Sequence, residues 1–502
     1  MSRTKAKANA AKPRVLRPGP MGWRGRGRGT DNLTPVPMEW RGTTRQVCGL
    51  YPASSGSSAP AIGAPLGRQL DRNGSMGGSV CCDPISWFLA GMVSNPSAFF
   101  LSNPGLGKST VARRMVMMAD AFGYVPMVLG DLKPDQVDNV RALGGQVIRI
   151  GPGGGHLNVL DSGQSREAEA ALRAAGRSDM AEQLRVSSHA RTRALVAALL
   201  TIVRKSAPTD REENILDRAI RLLADRHQGV PVLPDLLHMI QNPPEDLRRI
   251  ALDRGDLVRY AAITENLEAS LIGLIDGGRL GSMFAHPTSE PQRRDRAVVY
   301  DVSGLQQGED DAKAAALLAC WSTGFGTIEA AHALADAGLE PERLYLAVLD
   351  ELWQALRVGH GMADRVDALT RLNRNEGVGQ LMISHTMKDL ESLASEEDRA
   401  KARGFVERAA IKILGGLPAS EMPWLSQVMA MSQTEQEILT SWQDPAPLSR
   451  RGEQGVPPGR GKFLIKVGNR PGIAFKMELT PAEMSVHDTN KRWAQAMGRR
   501  RA

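Results

Sequence analysis

The chain contains few cysteines and few aromatic residues, and it lacks a long uninterrupted apolar run. Its 502 residues include 4 cysteines (Cys48, Cys81, Cys82 and Cys320), whose spacing matches no metal motif and which are too few for a disulfide framework. The longest apolar candidate, 87–101, is interrupted by Ser94-Asn95-Pro96, which argues against a transmembrane helix. The basic N-terminal residues include no apolar core, which argues against a secretory signal. A reducing cytoplasm is therefore the expected compartment.

The net charge of +8 is concentrated near the N-terminus. Residues 1–48 hold eleven Lys and Arg against two acidic residues, a net of +9, whereas the remainder has 52 basic and 53 acidic residues. The first 48 residues are rich in Gly, Pro and Arg and poor in core-forming residues, which predicts a disordered leader. Such a leader either binds nucleic acid or anionic lipid by charge alone or is a solvated tail. A Ser/Gly/Pro-rich linker is predicted at 52–78.

From about residue 79, short apolar runs alternate with helical patterns. Continuous apolar runs between helices are typical of a parallel sheet covered on both faces. The runs lie at 98–101, 125–131, 144–150, 297–302, 344–349, 380–385 and 411–414. Between the third and fourth runs, amphipathic patterns predict only helices. An all-helical insertion is favoured over a separate domain, because predicted strands lie on both sides of it. The predicted segments are a leader and linker at 1–78, an α/β domain at 79–480 with its insertion at 164–285, and a basic tail at 481–502.

A glycine-rich turn follows the run 98–101 and precedes a helical pattern at 111–119. Its backbone N–H groups, together with the helix N-terminus, can surround phosphate oxygens. Lys108 is expected at the β- and γ-phosphates and Ser109 at Mg²⁺. Ser102 stands where such loops usually begin with glycine, and it is tolerated there if its φ is negative. The alternative is a chance glycine turn. The residues expected to bind ATP are Asn103, Pro104, Gly105, Leu106, Gly107, Lys108, Ser109 and Thr110.

The run 344–349 ends in two adjacent carboxylates, Asp350 and Glu351. Asp350 is expected to hold Mg²⁺, through water, and Glu351 to polarise the attacking water. Taken alone, such a strand is more often one that reaches a polar surface. Together with the glycine-rich turn, the carboxylate pair predicts a site that hydrolyses ATP.

Several short segments, taken in order, resemble the cytoplasmic ATPases of type IV secretion and conjugative transfer, within the FtsK/HerA class of hexameric P-loop motors. Val159 stands where this family has proline. The resemblance covers roughly residues 79–480 and implies a RecA-like P-loop NTPase with a mainly parallel sheet. The segments are Gly130-Asp131-Leu132-Lys133-Pro134-Asp135, Leu143-Gly144-Gly145, Asn158-Val159-Leu160-Asp161, the glycine-rich stretch 276–284, Asp350-Glu351-Leu352-Trp353 and Arg371-Leu372-Asn373-Arg374-Asn375-Glu376-Gly377.

The resemblance also implies a function and partners. It implies a Mg-ATP-hydrolysing hexamer that docks on a secretion or conjugation machine at the inner face of the cell membrane and transfers DNA, protein or both. The alternative is a soluble HerA-like DNA translocase that binds DNA through its leader and ring pore. The near-neutral charge beyond residue 48 weakens that alternative, because a DNA pump should show a basic stripe. A third possibility is a scaffold that binds nucleotide without hydrolysis, against which Lys108, Asp350 and Glu351 argue.

Two further catalytic residues follow from the resemblance. In motors of this class an arginine of the neighbouring subunit contacts the bound phosphate, and Arg374 is preferred over Arg371 for that role. In the alternative interpretation, both are ordinary solvated arginines. His385 stands where the family has glutamine, and it is either a γ-phosphate sensor acting through a ring N–H or a plain strand-end residue. Asp131 and Lys133 are second-tier candidates, because ligands bind at the carboxyl ends of strands in open α/β folds.

Overall fold

The computed structural model describes residues 60–71, 74–161, 163–276, 280, 283–305, 308–357, 362–363, 366–367, 377–393, 395–445 and 456–486. The predicted leader at 1–48 and the two candidate arginines, Arg371 and Arg374, lie outside the described residues, and their predicted roles stay predictions.

The strands of the described chain form one sheet of eleven. They are β1 Pro65–Leu70, β2 Met76–Cys81, β3 Ser97–Leu101, β4 Val125–Asp131, β5 Gln146–Arg149, β6 Val298–Asp301, β7 Tyr345–Leu349, β8 Val378–Ser384, β9 Ile411–Leu414, β10 Lys462–Val467 and β11 Ile473–Met477. Their order across the sheet is β2-β1-β11-β10-β9-β3-β8-β7-β4-β6-β5. The seven strands from β9 to β5 are parallel, and the four at the other end pair antiparallel. The α/β fold with a mainly parallel sheet is therefore confirmed.

Helices cover the sheet and fill the segment between β5 and β6. Those of the described chain are α1 Pro84–Leu89, α2 Lys108–Ala121, α3 Val137–Ala142, α4 Ser165–Ala174, α5 Ser178–Arg204, α6 Asp210–Arg226, α7 Leu233–Gln241, α8 Glu245–Ala251, α9 Leu257–Ile275, α10 Asp310–Asp336, α11 Leu352–Leu356, α12 Met387–Glu391, α13 Glu396–Arg408, α14 Met422–Val428, α15 Gln433–Ser441 and α16 Pro481–Val486. The six helices α4–α9 form the helical segment. None of the described helices combines the length and the apolar character that a membrane crossing requires.

The hydrophobic core lies on both faces of the sheet. Successive strand residues point to opposite faces, so that Phe99 and Leu129 pack on one side and Phe100 and Val348 on the other. Helix α10 belongs to the first side and α2 to the second. The indole N–H of Trp321 on α10 donates to the Leu129 carbonyl at 2.7 Å, which fixes that helix on β4. Both faces of the parallel strands are therefore buried, except at the edge strand β5, where Arg149 is exposed.

The predicted linker at 52–78 is wrong for its second half, because β1 lies inside it and β2 begins there. Leu66 and Val80 are buried in these strands, but most of their neighbours are exposed, so the segment shows no apolar run. Gly67 is needed where β1 meets β11: a Cβ there would lie 2.0 Å from the Lys476 carbonyl oxygen. At the other end, α16 occupies the start of the predicted tail, and its Glu483 is buried.

Candidate functional site

Four adjacent parallel strands place the predicted site residues at one edge of the sheet. In the order β3, β8, β7, β4, their carboxyl ends lead into the glycine-rich loop, His385, the Asp350-Glu351 pair and the segment that follows Asp131. Because parallel strands end at the same edge, these four connections are neighbours although they are far apart in sequence. The strand order therefore brings these four connections together.

The glycine-rich loop has the geometry of a phosphate cradle. Gly105 and Gly107 have φ values of 83° and 102°, a left-handed backbone that glycine adopts without steric cost. Helix α2 begins directly after the loop, at Lys108, and among the described residues no side chain caps its N-terminus. A Cβ built on Gly105 would meet no atom within 4 Å. The loop thus has space in front of it and uncapped N–H groups behind it, which suits an anion.

Ser102 is accommodated at the start of the loop by a glycine on the neighbouring strand connection. Its backbone is not in the left-handed region, as the sequence analysis required. Its side chain is fully buried and occupies the space beside Gly415, where a Cβ would lie 2.2 Å from the serine Oγ and 2.6 Å from its Cβ. The serine hydroxyl is 3.2 Å from the Asn103 carbonyl oxygen. The missing first glycine is therefore matched by a glycine at the end of β9.

Lys108, His385 and Glu351 form a continuous chain of hydrogen bonds. Lys108 Nζ lies 2.9 Å from His385 Nδ1 and 3.2 Å from the Ser384 carbonyl oxygen. His385 Nε2 lies 3.1 Å from Glu351 Oε2. A lysine ammonium only donates, so His385 Nδ1 accepts, and the ring proton on Nε2 is then directed at the carboxylate. The strand order explains this chain, because β8 lies between β3 and β7.

Glu351 has two further partners on its carboxylate. Lys133 Nζ lies 2.9 Å from Oε1, and Trp353 Nε1 donates to Oε2 at 2.6 Å. The Glu351 side chain is 3% exposed, and its backbone has a φ of 53°, which is unusual for a residue other than glycine. Such backbone strain costs about 1 to 3 kcal/mol and is found mainly at functional sites. The sequence motif predicts a role for Glu351, whereas its contacts with Lys133 and Trp353 are found only in the structure.

The charges of the site shift the pKa values of its members in opposite directions. Burial lowers the pKa of Lys108, and the nearby Asp350 and Glu351 only partly offset this effect. Burial, with the charge of Glu351 beside it, raises the pKa of Asp350. Burial alone would raise the pKa of Glu351, but the hydrogen bond from His385 and the charges of Lys108 and Lys133 outweigh it and lower that pKa. The site therefore favours the ionised form of Glu351 more than that of Asp350.

Asp131 lies at the carboxyl end of β4, two residues before Lys133. Its carboxylate accepts the backbone N–H of Asp135 at 3.0 Å and that of Gln136 at 2.6 Å, so it shapes the turn that carries Lys133. Burial, opposed by these two hydrogen bonds and reinforced by the charge of Asp350, raises the pKa of Asp131 to about 7. This bonding gives Asp131 a structural role in the turn, and its direct contact with a ligand stays a prediction.

The structure brings most of the predicted residues together. Lys108, Asp350, Glu351 and His385 lie at the same edge, with Ser109 and Thr110 in the first turn of α2. Asn103, Pro104, Gly105 and Leu106 form the loop in front of that helix. Leu106 is buried, and its carbonyl oxygen accepts the N–H of Gly461 at 2.8 Å, so it serves as an anchor of the loop.

The fold of this chain is similar to that of a solved structure. VirB4 of Thermoanaerobacter pseudethanolicus has a TM-score of 0.61 with this chain, at 19% identity, over 85% of this chain and 99% of that one. The chain therefore has the fold of VirB4. No protein-family model and no curated protein matches the chain.

Two other solved structures give weaker matches. The plasmid coupling protein TrwB in complex with ADP and Mg²⁺ has a TM-score of 0.46, at 14% identity, over 77% of this chain and 86% of that one. The cytoplasmic domain of the Thermomonospora curvata type VII secretion ATPase EccC has a TM-score of 0.30, at 14% identity, over 82% of this chain and 28% of that one. TM-scores below 0.5 do not establish a common fold.

Proposed function

We propose that this chain is a Mg-ATP-hydrolysing motor that powers the transfer of DNA, protein or both through a conjugative or type IV secretion machine. The observation that carries the proposal is the row of Lys108, His385 and the Asp350-Glu351 pair along one edge of a sheet with the VirB4 fold. The motifs that resemble secretion ATPases support the same class. Lys108 and Glu351 together argue against a scaffold that binds nucleotide without hydrolysis.

The residues at the site fit ATP and Mg²⁺. Besides the uncapped N-terminus of α2, the Ser384 hydroxyl oxygen is buried at this edge without a hydrogen-bond partner among the described residues. A buried polar atom without a partner costs free energy, which a bound ligand removes. In the proposed complex the loop N–H groups and Lys108 hold the phosphates, and Ser109 and Asp350 hold Mg²⁺, Asp350 through water. Bound ATP and Mg²⁺ supply the scissile phosphoanhydride and the charge that stabilises its leaving oxygen.

The remaining steps belong to side chains of the chain itself. Lys108 has three N–H donors, and His385 and the Ser384 carbonyl oxygen accept two of them. In the proposed complex Lys108 exchanges its contact with His385 for phosphate oxygens. In that complex His385 directs a ring N–H toward the γ-phosphate from Nδ1, the nitrogen that Lys108 leaves. Glu351, ionised and fixed by the backbone at the end of β7, orients a water molecule for attack in line with the leaving oxygen.

Assembly and docking are part of the proposal. We propose a homo-oligomer, a hexamer, in which Arg374 of one subunit stabilises the charge on the phosphate bound by its neighbour. The ring docks on its machine at the inner face of the cell membrane. Sedimentation in the presence of Mg-ATP tests the assembly, and a single-chain species at every concentration would contradict it.

Two substitutions test the chemistry. Lys108→Ala should abolish nucleotide binding or turnover, because no other group replaces its charge at the phosphates. Glu351→Gln should keep ATP bound and slow hydrolysis by at least about a hundredfold. The measurements are phosphate release and equilibrium binding of ATP, with Glu397→Gln on α13 as a control that removes an exposed carboxylate. A Glu351→Gln protein that hydrolyses ATP at the wild-type rate would show that the water-orienting role is wrong.

The transfer function needs a test in cells. Donor cells that carry Lys108→Ala should lose conjugative DNA transfer or secretion of protein, because the motor can no longer use ATP. The measurement is the frequency of transfer and the amount of secreted protein, beside cells that carry Glu397→Gln. Wild-type transfer frequency and wild-type secretion in the Lys108→Ala cells would contradict the proposed function, even if the purified wild-type protein hydrolyses ATP.

A further inference from the structure

Among the described residues, three donors from three different elements contact the carboxylate of Glu351. Lys133 reaches Oε1 from the segment after β4, and Trp353 and His385 reach Oε2 from α11 and from the end of β8. A carboxylate has about four acceptor positions, and three of them are occupied here. With the side chain only 3% exposed, little room is left for a water molecule that Glu351 is to orient.

Lys133 differs from the other two donors in its freedom to leave. Trp353 is two residues from Glu351 in the chain, and the side chain of His385 is only 17% exposed. The side chain of Lys133 is 61% exposed and ends a flexible stem, so it can withdraw into solvent without displacing a strand. It also holds the one carboxylate oxygen that neither of the other donors contacts.

We propose that Lys133 is a positioning residue that holds Glu351 in a resting orientation and must release Oε1 before Glu351 can orient water. The inference rests on the proposed function, since it concerns the water-orienting step. A carboxylate oxygen that accepts a hydrogen bond from an ammonium is a poor acceptor for the proton of water. The Lys133–Glu351 pair therefore limits ATP turnover when nothing draws Lys133 away. In the proposed complex, negative charge that develops at the phosphates attracts the Lys133 ammonium and so favours its release from Glu351.

The turnover rate tests this restraint. Lys133→Met removes the ammonium and keeps the stem, so kcat should rise about fivefold with little change in KM, the effect expected from an ion pair with one exposed partner. Lys133→Arg keeps the charge and should stay near the wild-type rate. Lys401→Met is the matched control, because it removes a lysine paired with a glutamate, Glu397, at 2.6 Å on α13. Its kcat should equal that of the wild type.

Two outcomes of the rate measurement would overturn the inference. One is an unchanged or lower kcat in Lys133→Met while the wild type is active and Glu351→Gln is not, which leaves the proposed function standing. The other is a raised KM with a lower kcat, which would make Lys133 a phosphate ligand rather than a restraint on Glu351. An inactive wild type would count against the proposed function and not against the ion pair, which the next measurement tests separately.

Thermal unfolding without nucleotide tests the ion pair itself. The four proteins are the wild type, Lys133→Met, Glu351→Gln and the double variant. Lys133→Met should lower the Tm of the wild type, because it leaves the buried Glu351 with one donor fewer. In the Glu351→Gln background the same change should have a clearly smaller effect, because the charge to be compensated is gone. Equal Tm shifts in both backgrounds would overturn the inference, whether or not the protein hydrolyses ATP.

Discussion

The pairing of Ser102 with Gly415 shows how a departure from a motif is absorbed by a residue elsewhere. A serine at the start of the loop needs space for its Cβ and Oγ, and the end of β9 provides it by having no side chain. The two residues are 313 positions apart and meet because β3 and β9 are parallel neighbours. The serine therefore does not indicate a damaged phosphate loop, and we expect its effect to depend on the residue at 415.

Substitution of both residues tests this dependence. Gly415→Ala should lower the free energy of unfolding by about 1 to 3 kcal/mol and weaken ATP binding, because its methyl group overlaps the Ser102 side chain. Ser102→Gly in addition should restore most of both, since it removes the two nearest atoms that the methyl group meets and leaves Phe463 Cε1 at 3.2 Å. The measurements are urea unfolding and equilibrium binding of ATP.

A control for this pair is Gly404→Ala on α13, where a Cβ would meet only the flexible end of Arg408, at 3.3 Å. It should be neutral or slightly stabilising, because alanine favours the helix. A double variant at 102 and 415 that is as unstable as Gly415→Ala alone would show that the overlap with Ser102 is not the cause.

The residues of the candidate site divide into those that local sequence reveals and those that it does not. Lys108, Asp350 and Glu351 were predictable because each belongs to a short contiguous motif whose chemistry depends on that spacing. The contact between Lys133 and Glu351 was not, because it exists only when β4 lies beside β7. No local pattern in the chain specifies the order of strands in a sheet.

At the scale of elements, helix α2 is tied to both ends of the described chain by one arginine. Arg114 is buried on this helix, and its guanidinium donates to both carboxylate oxygens of Glu483 on α16 and to the Pro65 carbonyl oxygen on β1. It also donates to the Glu478 carbonyl oxygen at 2.7 Å. The helix that begins at Lys108 is therefore held by elements that do not belong to the parallel sheet.

Removal of this guanidinium should strongly destabilise the fold. Arg114→Met leaves Glu483, itself buried, without its cation, and we expect a loss of about 3 to 5 kcal/mol in the free energy of unfolding, measured by urea unfolding. Arg141→Met is the control, because its pair with Asp138 is half exposed and should be worth less than about 1 kcal/mol.

A second substitution separates the buried charge from the loss of packing. Arg114→Met with Glu483→Gln should recover part of the loss, since no unpaired charge stays buried. If Arg114→Met is no more destabilising than Arg141→Met, the arginine does not hold these elements together.

The strands of the sheet were predictable in unequal measure. Six of the seven parallel strands are almost wholly buried, so most of them leave a mainly apolar run in the sequence, whereas the edge strand β5 is only partly buried and β9 includes Lys412. The four antiparallel strands were not foreseen. In β2 only Val80 is buried, and β10 buries Lys466, which a salt bridge to Glu435 makes possible at 2.9 Å. Because β10 contains a lysine and β2 contains glycines, the sequence of each strand resembles that of a loop.

At the scale of the whole molecule, charge is distributed very unevenly along the sequence. Residues 1–48 carry a net charge of +9, and the remaining residues have one more acidic than basic side chain. Counterions released from a polyanion scale with the number of cations that contact it, so a charged segment contributes to binding without any specific contact. Attachment to nucleic acid or to an anionic membrane and ATP hydrolysis should therefore depend on different parts of the chain.

Deletion of residues 1–48 should separate these two activities. Basal ATP turnover and Tm should stay nearly unchanged. Binding to duplex DNA or to vesicles of anionic lipid should weaken and become less sensitive to salt, because each lost phosphate contact lowers the salt slope by about one. Binding is measured for both proteins over a series of salt concentrations. A full-length variant in which the eleven Lys and Arg of this segment are Gln keeps the chain length and should behave like the deletion. Equal salt slopes for all three proteins would show that residues 1–48 are only a solvated tail, and any contact with DNA would then have to come from the ring.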